Sequence, residues 1–178
     1  MNIYYNKYIN FLIKHNIYNE EIMSYMRRNS IKFDYRDEEQ RDFIGCFYNI
    51  DRNNRITKIN LYVPFIDSDI TVLINIHEYI HLFILHQYLN KKYQRSKDEE
   101  ILPILYELLY FIDNPSKELE KKITNLNNTI IDNSPVQYKI ALKSRDELLE
   151  YYQKENPSFK KLQEKAKKLS RKYQRDNA

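Results

Sequence analysis

The feature of this sequence that most restricts its fold is a long apolar segment, residues 70–89, which reads ITVLINIHEYIHLFILHQYL. Its side chains would be apolar nearly all round a helix, and such a helix is normally buried. Asp67, Ser68 and Asp69 stand directly before it and are residue types that cap helix N-termini. The segment therefore predicts a core helix that begins at these residues.

Three polar residues inside this segment, His77, Glu78 and His81, form the pattern H-E-x-x-H. Helical residues advance by about 100°, so the two histidines differ by only about 40° in azimuth and by about 6 Å along the axis. Their imidazoles can converge on one tetrahedral ion, while Glu78 borders the same site and can reach a metal-bound water. Without partners, each buried group would cost about 1–3 kcal/mol. The pattern therefore predicts a metal site, with one zinc ion as the expected cofactor.

A catalytic zinc usually takes a third protein ligand and leaves one position for water. His86 is the nearest candidate by sequence, but on the same helix it points about 180° away from His77. It is expected to be a core or interface histidine instead. The metzincin class needs a third histidine six residues after the second one, where this chain has Gln87. That class is excluded.

A glutamate on the following helix is the remaining candidate for the third ligand. Ser96 and Glu99 have the spacing of a capping box, which gives Glu99 a structural role and leaves Glu100 available for another role. Glu100 is therefore the best-placed ligand, with Glu99 second and Glu107 third. Pro103 leaves two structures open, a helix kinked at the proline or one that starts close to it.

The remaining pattern predicts a mostly helical α+β fold. Residues 3–15 and a second segment from Asn19 have the apolar spacing of helices. Residues 27–42 are polar and are interpreted as a connection. Residues 43–50 and 56–63 are strand-like and are joined by turn-forming residues, so they predict a β-hairpin. The expected order is helices, hairpin and motif helix.

Three further helices are predicted after residue 113, each introduced by a proline. We expect a catalytic core over residues 1–113 and a C-terminal helical segment over residues 114–178, packed on the core. From Pro157 onward the chain has eight basic and two acidic residues, a local charge of +6, against +4 for the whole chain. These charges surround an apolar stripe, which favours the solvated face of a packed helix over nucleic-acid binding.

The expected compartment is the cytoplasm. Cys46 is the only cysteine, so no internal disulfide can form. The N-terminal residues lack the basic start and apolar run of a signal peptide. The apolar run around the motif is broken by charged and polar residues, so a membrane is not an expected partner.

With these residues the chain resembles the gluzincin group of zinc metallopeptidases, in which a downstream glutamate completes H-E-x-x-H. The order of Glu100, Pro103 and Glu107 is similar to that in the thimet-oligopeptidase and oligoendopeptidase families. The order of hairpin, helix and glutamate in a short chain also resembles the ImmA/IrrE-type peptidases and the minigluzincins. The similarity covers roughly residues 43–110 and does not select one subfamily.

This resemblance implies a zincin-like fold and a zinc-dependent metallopeptidase that acts on a peptide or protein substrate. It implies His77, His81 and Glu100 as metal ligands and Glu78 as the general base for a metal-activated water. Nucleic acid is not an expected partner.

Tyr138, near the start of a C-terminal helix, is a candidate donor to the oxyanion that forms during hydrolysis. In related zincins the strand before the motif helix binds substrate as an added strand, a role that falls here to residues 56–63. The alternative function is a zincin-like regulatory or binding module that keeps the metal but has absent or latent peptidase activity.

Overall fold

The computed structural model describes residues 2–96, 98–124 and 136–175. These ranges form an α+β fold that is mostly helical, as predicted, with one small mixed sheet. The elements in chain order are α1 (Ile3–Lys14), α2 (Glu20–Asn29), β1 (Ser30–Phe33), α3 (Glu38–Arg41), β2 (Gly45–Ile50), β3 (Ile56–Pro64), α4 (Asp69–His86), α5 (Ile101–Asp113), α6 (its described part 117–124), α7 (Val136–Glu155) and α8 (Phe159–Arg175).

The chain divides into two compact units, Met1–Gln94 and Arg95–Ala178. The first unit contains α1 to α4 and the sheet, and the second contains the remaining helices. The predicted extent of a catalytic core, residues 1–113, stays a prediction. None of the described helices combines the length and the apolar character that a membrane crossing needs.

In the first unit, α1 and α2 both pack on α4. Asn19 begins α2 by accepting a hydrogen bond from the Ile22 N–H at 3.1 Å. Tyr79 of α4 binds the turn that precedes α2: its hydroxyl donates to the Ile17 carbonyl at 2.9 Å and accepts from the Asn19 N–H at 3.2 Å. These two hydrogen bonds, from a buried residue that stands between the two motif histidines in the sequence, therefore fix the start of α2 on α4.

The sheet has three strands in the order β1-β3-β2, with β1 parallel and β2 antiparallel to β3. The predicted hairpin is confirmed, but its second strand is central. Where β1 does not reach, the Tyr25 hydroxyl accepts from the Ile59 N–H at 3.0 Å and donates to the Ile59 carbonyl at 3.2 Å. The prediction that residues 56–63 bind substrate as an added strand is therefore wrong, because β3 already has a strand on each side.

The interpretation of residues 27–42 as a connection is also wrong in part. This segment contains β1 and the short helix α3. β1 has only four residues, and its register pairs Ser30 with Leu61 and Phe33 with Pro64. A strand this short forms because a distant strand offers it hydrogen bonds, and local periodicity carries no signal of that kind.

In the second unit, α5 begins at Ile101 and has Pro103 in its first turn. The N–H groups of the first turn have no partner within the helix, so proline removes nothing there. This settles the alternative that the sequence left open, because the helix starts close to the proline. The described part of α6 begins after Ser116, whose hydroxyl accepts from the Leu119 N–H at 3.2 Å. Pro135, the proline that introduces the next predicted helix, lies outside the described residues.

The last two helices pack against each other through one face of α8. Leu162, Ala166 and Leu169 of that face are buried. Glu147 of α7 accepts from the ammonium groups of Lys165 and Lys172, at 3.1 and 2.8 Å. The sequence-based interpretation of α8 as a packed helix with a basic outer face is consistent with these contacts.

Candidate metal centre

The helix α4 carries the motif, and its start is fixed by its own sequence. Ser68 and Thr71 form a capping box, in which the Ser68 hydroxyl accepts from the Thr71 N–H at 3.2 Å and the Thr71 hydroxyl accepts from the Ser68 N–H at 2.9 Å. The predicted start of the helix is thus confirmed. Further along, the buried Asn75 amide donates to the carbonyls of Pro64 at 3.0 Å and Thr71 at 2.8 Å. This part of the helix therefore sits firmly on the end of β3.

His77 and His81 turn their imidazole rings to the same point. Their Nε2 atoms are 3.1 Å apart, and the ring centroids are 4.8 Å apart at an angle of 62°. Two nitrogens bound at about 2.0–2.1 Å to one tetrahedral ion would lie about 3.3 Å from each other. The observed separation is close to that value, as expected for histidines one helical turn apart.

Glu100 joins these histidines. One ligand atom from each of His77, His81 and Glu100 can be chosen so that all three lie within 4.8 Å of one another. Glu100 is 8% exposed and occupies the N-cap position of α5, where its side chain makes no capping hydrogen bond. The three side chains could therefore bind one metal ion, and two imidazoles with one carboxylate fit the ligand set of a catalytic zinc site.

The other candidate glutamate in this turn, Glu99, has a structural role. Its carboxylate accepts from the Ser96 N–H at 3.0 Å and from the Arg95 guanidinium at 2.9 Å. The Ser96 contact is the half of a capping box that the sequence predicts. Glu99 is thus engaged in local contacts, and the group that could hold a metal ion contains the adjacent Glu100 instead.

Neither Glu107 nor His86 belongs to this group of possible ligands among the described residues. Glu107 is buried, and its negative charge acts on Lys122. Loss of hydration lowers the pKa of that lysine, and Glu107 partly opposes the shift. His86 packs edge-on against Tyr25, with ring centroids 5.2 Å apart, in keeping with its predicted direction. Tyr138 is half-buried in the first turn of α7, and its role as oxyanion donor stays a prediction.

Glu78, the predicted general base, is 6% exposed and follows His77 directly on α4. Its Oε2 atom, like that of Glu100, is shielded from solvent and accepts no hydrogen bond from the described residues, although both residues have other interactions. The negative charge of Glu78 also acts on Cys46 of β2. Loss of hydration raises the pKa of that thiol well above its usual value, and the negative charge of Glu78 raises it further.

Cys46 is a neighbour of the site that the sequence pattern does not predict. It pairs with the fully buried Leu61, so its side chain shares the sheet face that packs on α4. Side chains alternate between the two faces along β2, but which of them share the face of Cys46 is known only once the register with β3 is known.

Comparisons of the chain with protein-family models, with curated proteins and with solved structures find no match.

Proposed function

We propose that this chain is a zinc-dependent metallopeptidase. The observation that carries the proposal is the approach of three ligand atoms, from His77, His81 and Glu100, to within 4.8 Å of one another. Glu78 stands next to the first ligand on the same rigid helix, where the pattern H-E-x-x-H places a general base. A structural zinc site would have four protein ligands, whereas three such ligands leave a position for water.

Each side chain then has a separate task in peptide hydrolysis. Zinc, when bound, polarises a substrate carbonyl and lowers the pKa of a water towards about 7. Glu78 accepts the proton of the attacking water and delivers it to the leaving amine. The low exposure of Glu78 keeps competing bulk water away from its carboxylate. His77 and His81 are held by α4, so the ligand geometry exists before substrate arrives.

A peptide substrate would pair with the outer edge of β2. This strand is at the edge of the sheet and is in contact with α4, the helix that carries Glu78. An extended peptide added there forms main-chain hydrogen bonds without displacing a strand of the protein. The role predicted for β3 therefore passes to β2.

The proposal is tested by metal analysis of the purified full-length chain and by incubation with a mixed peptide library. We expect about one zinc per chain and cleavage of part of the library. Glu78→Gln should keep the zinc, because Glu78 acts on water, and should lower hydrolysis by about 10²–10⁴-fold. Glu100→Gln should instead weaken zinc retention on dialysis, because a neutral amide oxygen replaces an anionic ligand.

His86→Ala is the matched control, since it removes an imidazole from the same helix at a distance from the ligands. It should change neither zinc content nor cleavage. Loss of zinc from Glu78→Gln with retention by Glu100→Gln would contradict the assigned roles. Retention of zinc by a parent protein that cleaves no peptide would favour the alternative, a metal-binding regulatory module.

A further inference from the structure

The two edges of the sheet differ in how well they are protected from pairing with another strand. β1 is four residues long and includes Lys32, and short, charged edges discourage pairing. β2 is six residues long, reads GCFYNI and contains no charge and no proline. Its ladder to β3 is regular up to the last step, between Asn49 and Ile50. Within this unit, β2 is therefore the edge that is suited to accept another strand.

The side chains of β2 alternate between two environments. Cys46 and Tyr48 pair with Leu61 and Ile59, so they lie on the face that packs on α4. Phe47, between them, lies on the opposite face and is 50% exposed. A strand added at this edge would alternate in the same way, because paired residues share a face.

The ring of Phe47 is held in place although it is half exposed. It meets the ring of Tyr62 edge-on, with centroids 5.7 Å apart and planes at 82°. It also lies over Gly45, the only glycine of the chain, where a Cβ atom would be 3.0 Å from the ring. An aromatic side chain that is fixed before binding loses little entropy when a partner packs against it.

We propose that Phe47 is a specificity-determining residue, which selects peptides with an aromatic side chain at the position paired with it on the outer edge of β2. The proposal rests on the proposed function, since it identifies the substrate class of that site. The exposed half of the ring offers a surface for an aromatic partner, and such pairs add to strand pairing.

The location of Cys46 places this preference near the reacting bond. The peptide residue paired with Cys46 faces the side of the sheet on which α4, the helix that carries Glu78, is packed. The residue paired with Phe47 is its direct neighbour in the peptide, because successive residues of a strand point to opposite faces. Cleavage should therefore occur within about two residues of the selected aromatic side chain.

The test measures binding separately from cleavage, on the full-length Glu78→Gln variant. The probes are two fluorescein-labelled heptapeptides of alternating threonine and valine, one with a central phenylalanine and the other with a central serine. We expect the phenylalanine peptide to bind about 3- to 10-fold more tightly. Phe47→Thr should remove that difference, since threonine keeps the strand propensity but not the ring.

Two further variants sharpen the test. Asn49→Thr, an exposed change on the same face of β2, should leave the preference intact. Gly45→Ala keeps the Phe47 ring but places a Cβ atom 3.0 Å from it, at a φ of +159° that residues with side chains rarely adopt, so the ring or the strand must shift and the preference should fall without disappearing. Thermal unfolding of each variant checks that the fold is retained, which the exposure of Phe47 leads us to expect.

Backbone N-methylation tests the strand itself. Methyl groups on alternate peptide nitrogens block one edge of the peptide and leave the other edge free. We expect one set of alternate positions to abolish binding and the other set to have little effect. Equal effects of the two sets, an unchanged preference in Phe47→Thr, or no binding of either peptide would overturn the proposal.

The outcomes also distinguish this proposal from the proposed function. If peptides bind with the Phe47-dependent preference but the parent protein cleaves none of them, the proposed hydrolysis fails and the binding edge stands. If the parent cleaves peptides with no preference that depends on Phe47, hydrolysis stands and this proposal fails.

Discussion

Replacement of Tyr79 by phenylalanine removes one oxygen atom from the centre of the first unit. The Tyr79 side chain is fully buried, at 0% exposure, and burial raises the pKa of its hydroxyl, so the group is neutral when it makes its two hydrogen bonds. One of these bonds goes to the Ile17 carbonyl at 2.9 Å and the other comes from the Asn19 N–H at 3.2 Å. Phenylalanine keeps the ring and leaves both backbone groups without this partner.

The expected loss of stability follows from the exposure of these two groups. Ile17 is 1% exposed, so its carbonyl cannot turn to water, and a buried unsatisfied group costs about 1–3 kcal/mol. Asn19 is exposed, so its N–H can bind water and the loss there is about 1 kcal/mol. The total is about 2–4 kcal/mol, which corresponds to a fall of about 5–12 °C in the unfolding midpoint for a chain of this length.

Urea unfolding followed by circular dichroism measures this loss, and the slope of the transition should not change. Tyr62→Phe is the matched control, because it removes a hydroxyl from the half-exposed face of the sheet and should alter stability by no more than about 0.5 kcal/mol. Zinc content should be the same in both variants. Equal effects of the two substitutions, or loss of zinc from Tyr79→Phe without loss of stability, would refute this account.

Two other predictions concern pH and metal. Burial raises the pKa of the Tyr8, Tyr79 and Tyr106 hydroxyls in the folded state, so above pH of about 10 the folded state binds more protons than the unfolded state. The free energy of unfolding should then fall as pH rises, by about 1.4 kcal/mol per pH unit for each tyrosine. Urea midpoints that stay constant from about pH 9 to about pH 11 would contradict this. Removal of zinc by a chelator should lower the unfolding midpoint, because a free ion at about 100 times its Kd stabilises the folded state by about 2.7 kcal/mol. Calorimetry with and without added zinc measures the shift.

The parts of the site that could be predicted depend on helix geometry and on local capping. The approach of His77 and His81 follows from their spacing of four residues. The distinction between Glu99 and Glu100 follows from a hydrogen bond across three residues, to the Ser96 N–H. Interactions of this range leave a pattern in the sequence because both partners belong to one segment.

The parts that could not be predicted depend on pairing between distant segments. β1 forms because it meets β3 in a parallel register, and this pairing also makes β3 central. Tyr25 looks like an ordinary apolar position of α2, yet its hydroxyl takes the place of a neighbouring strand at Ile59. Periodicity predicts which face of a strand is buried, but it does not predict which strand lies beside it.

Four polar side chains of α4 form two pairs with different roles, and the distinction connects the fold with the proposed chemistry. Asn75 and Tyr79 each bond to backbone groups, so their polarity serves to fix α4 against β3 and α2. His77 and His81 instead direct their Nε2 atoms at each other, and together with Glu100 they could hold a metal ion. Substitution of the first kind should therefore lower stability and leave metal binding unchanged, whereas substitution of the second kind should weaken metal binding in a chain that still folds.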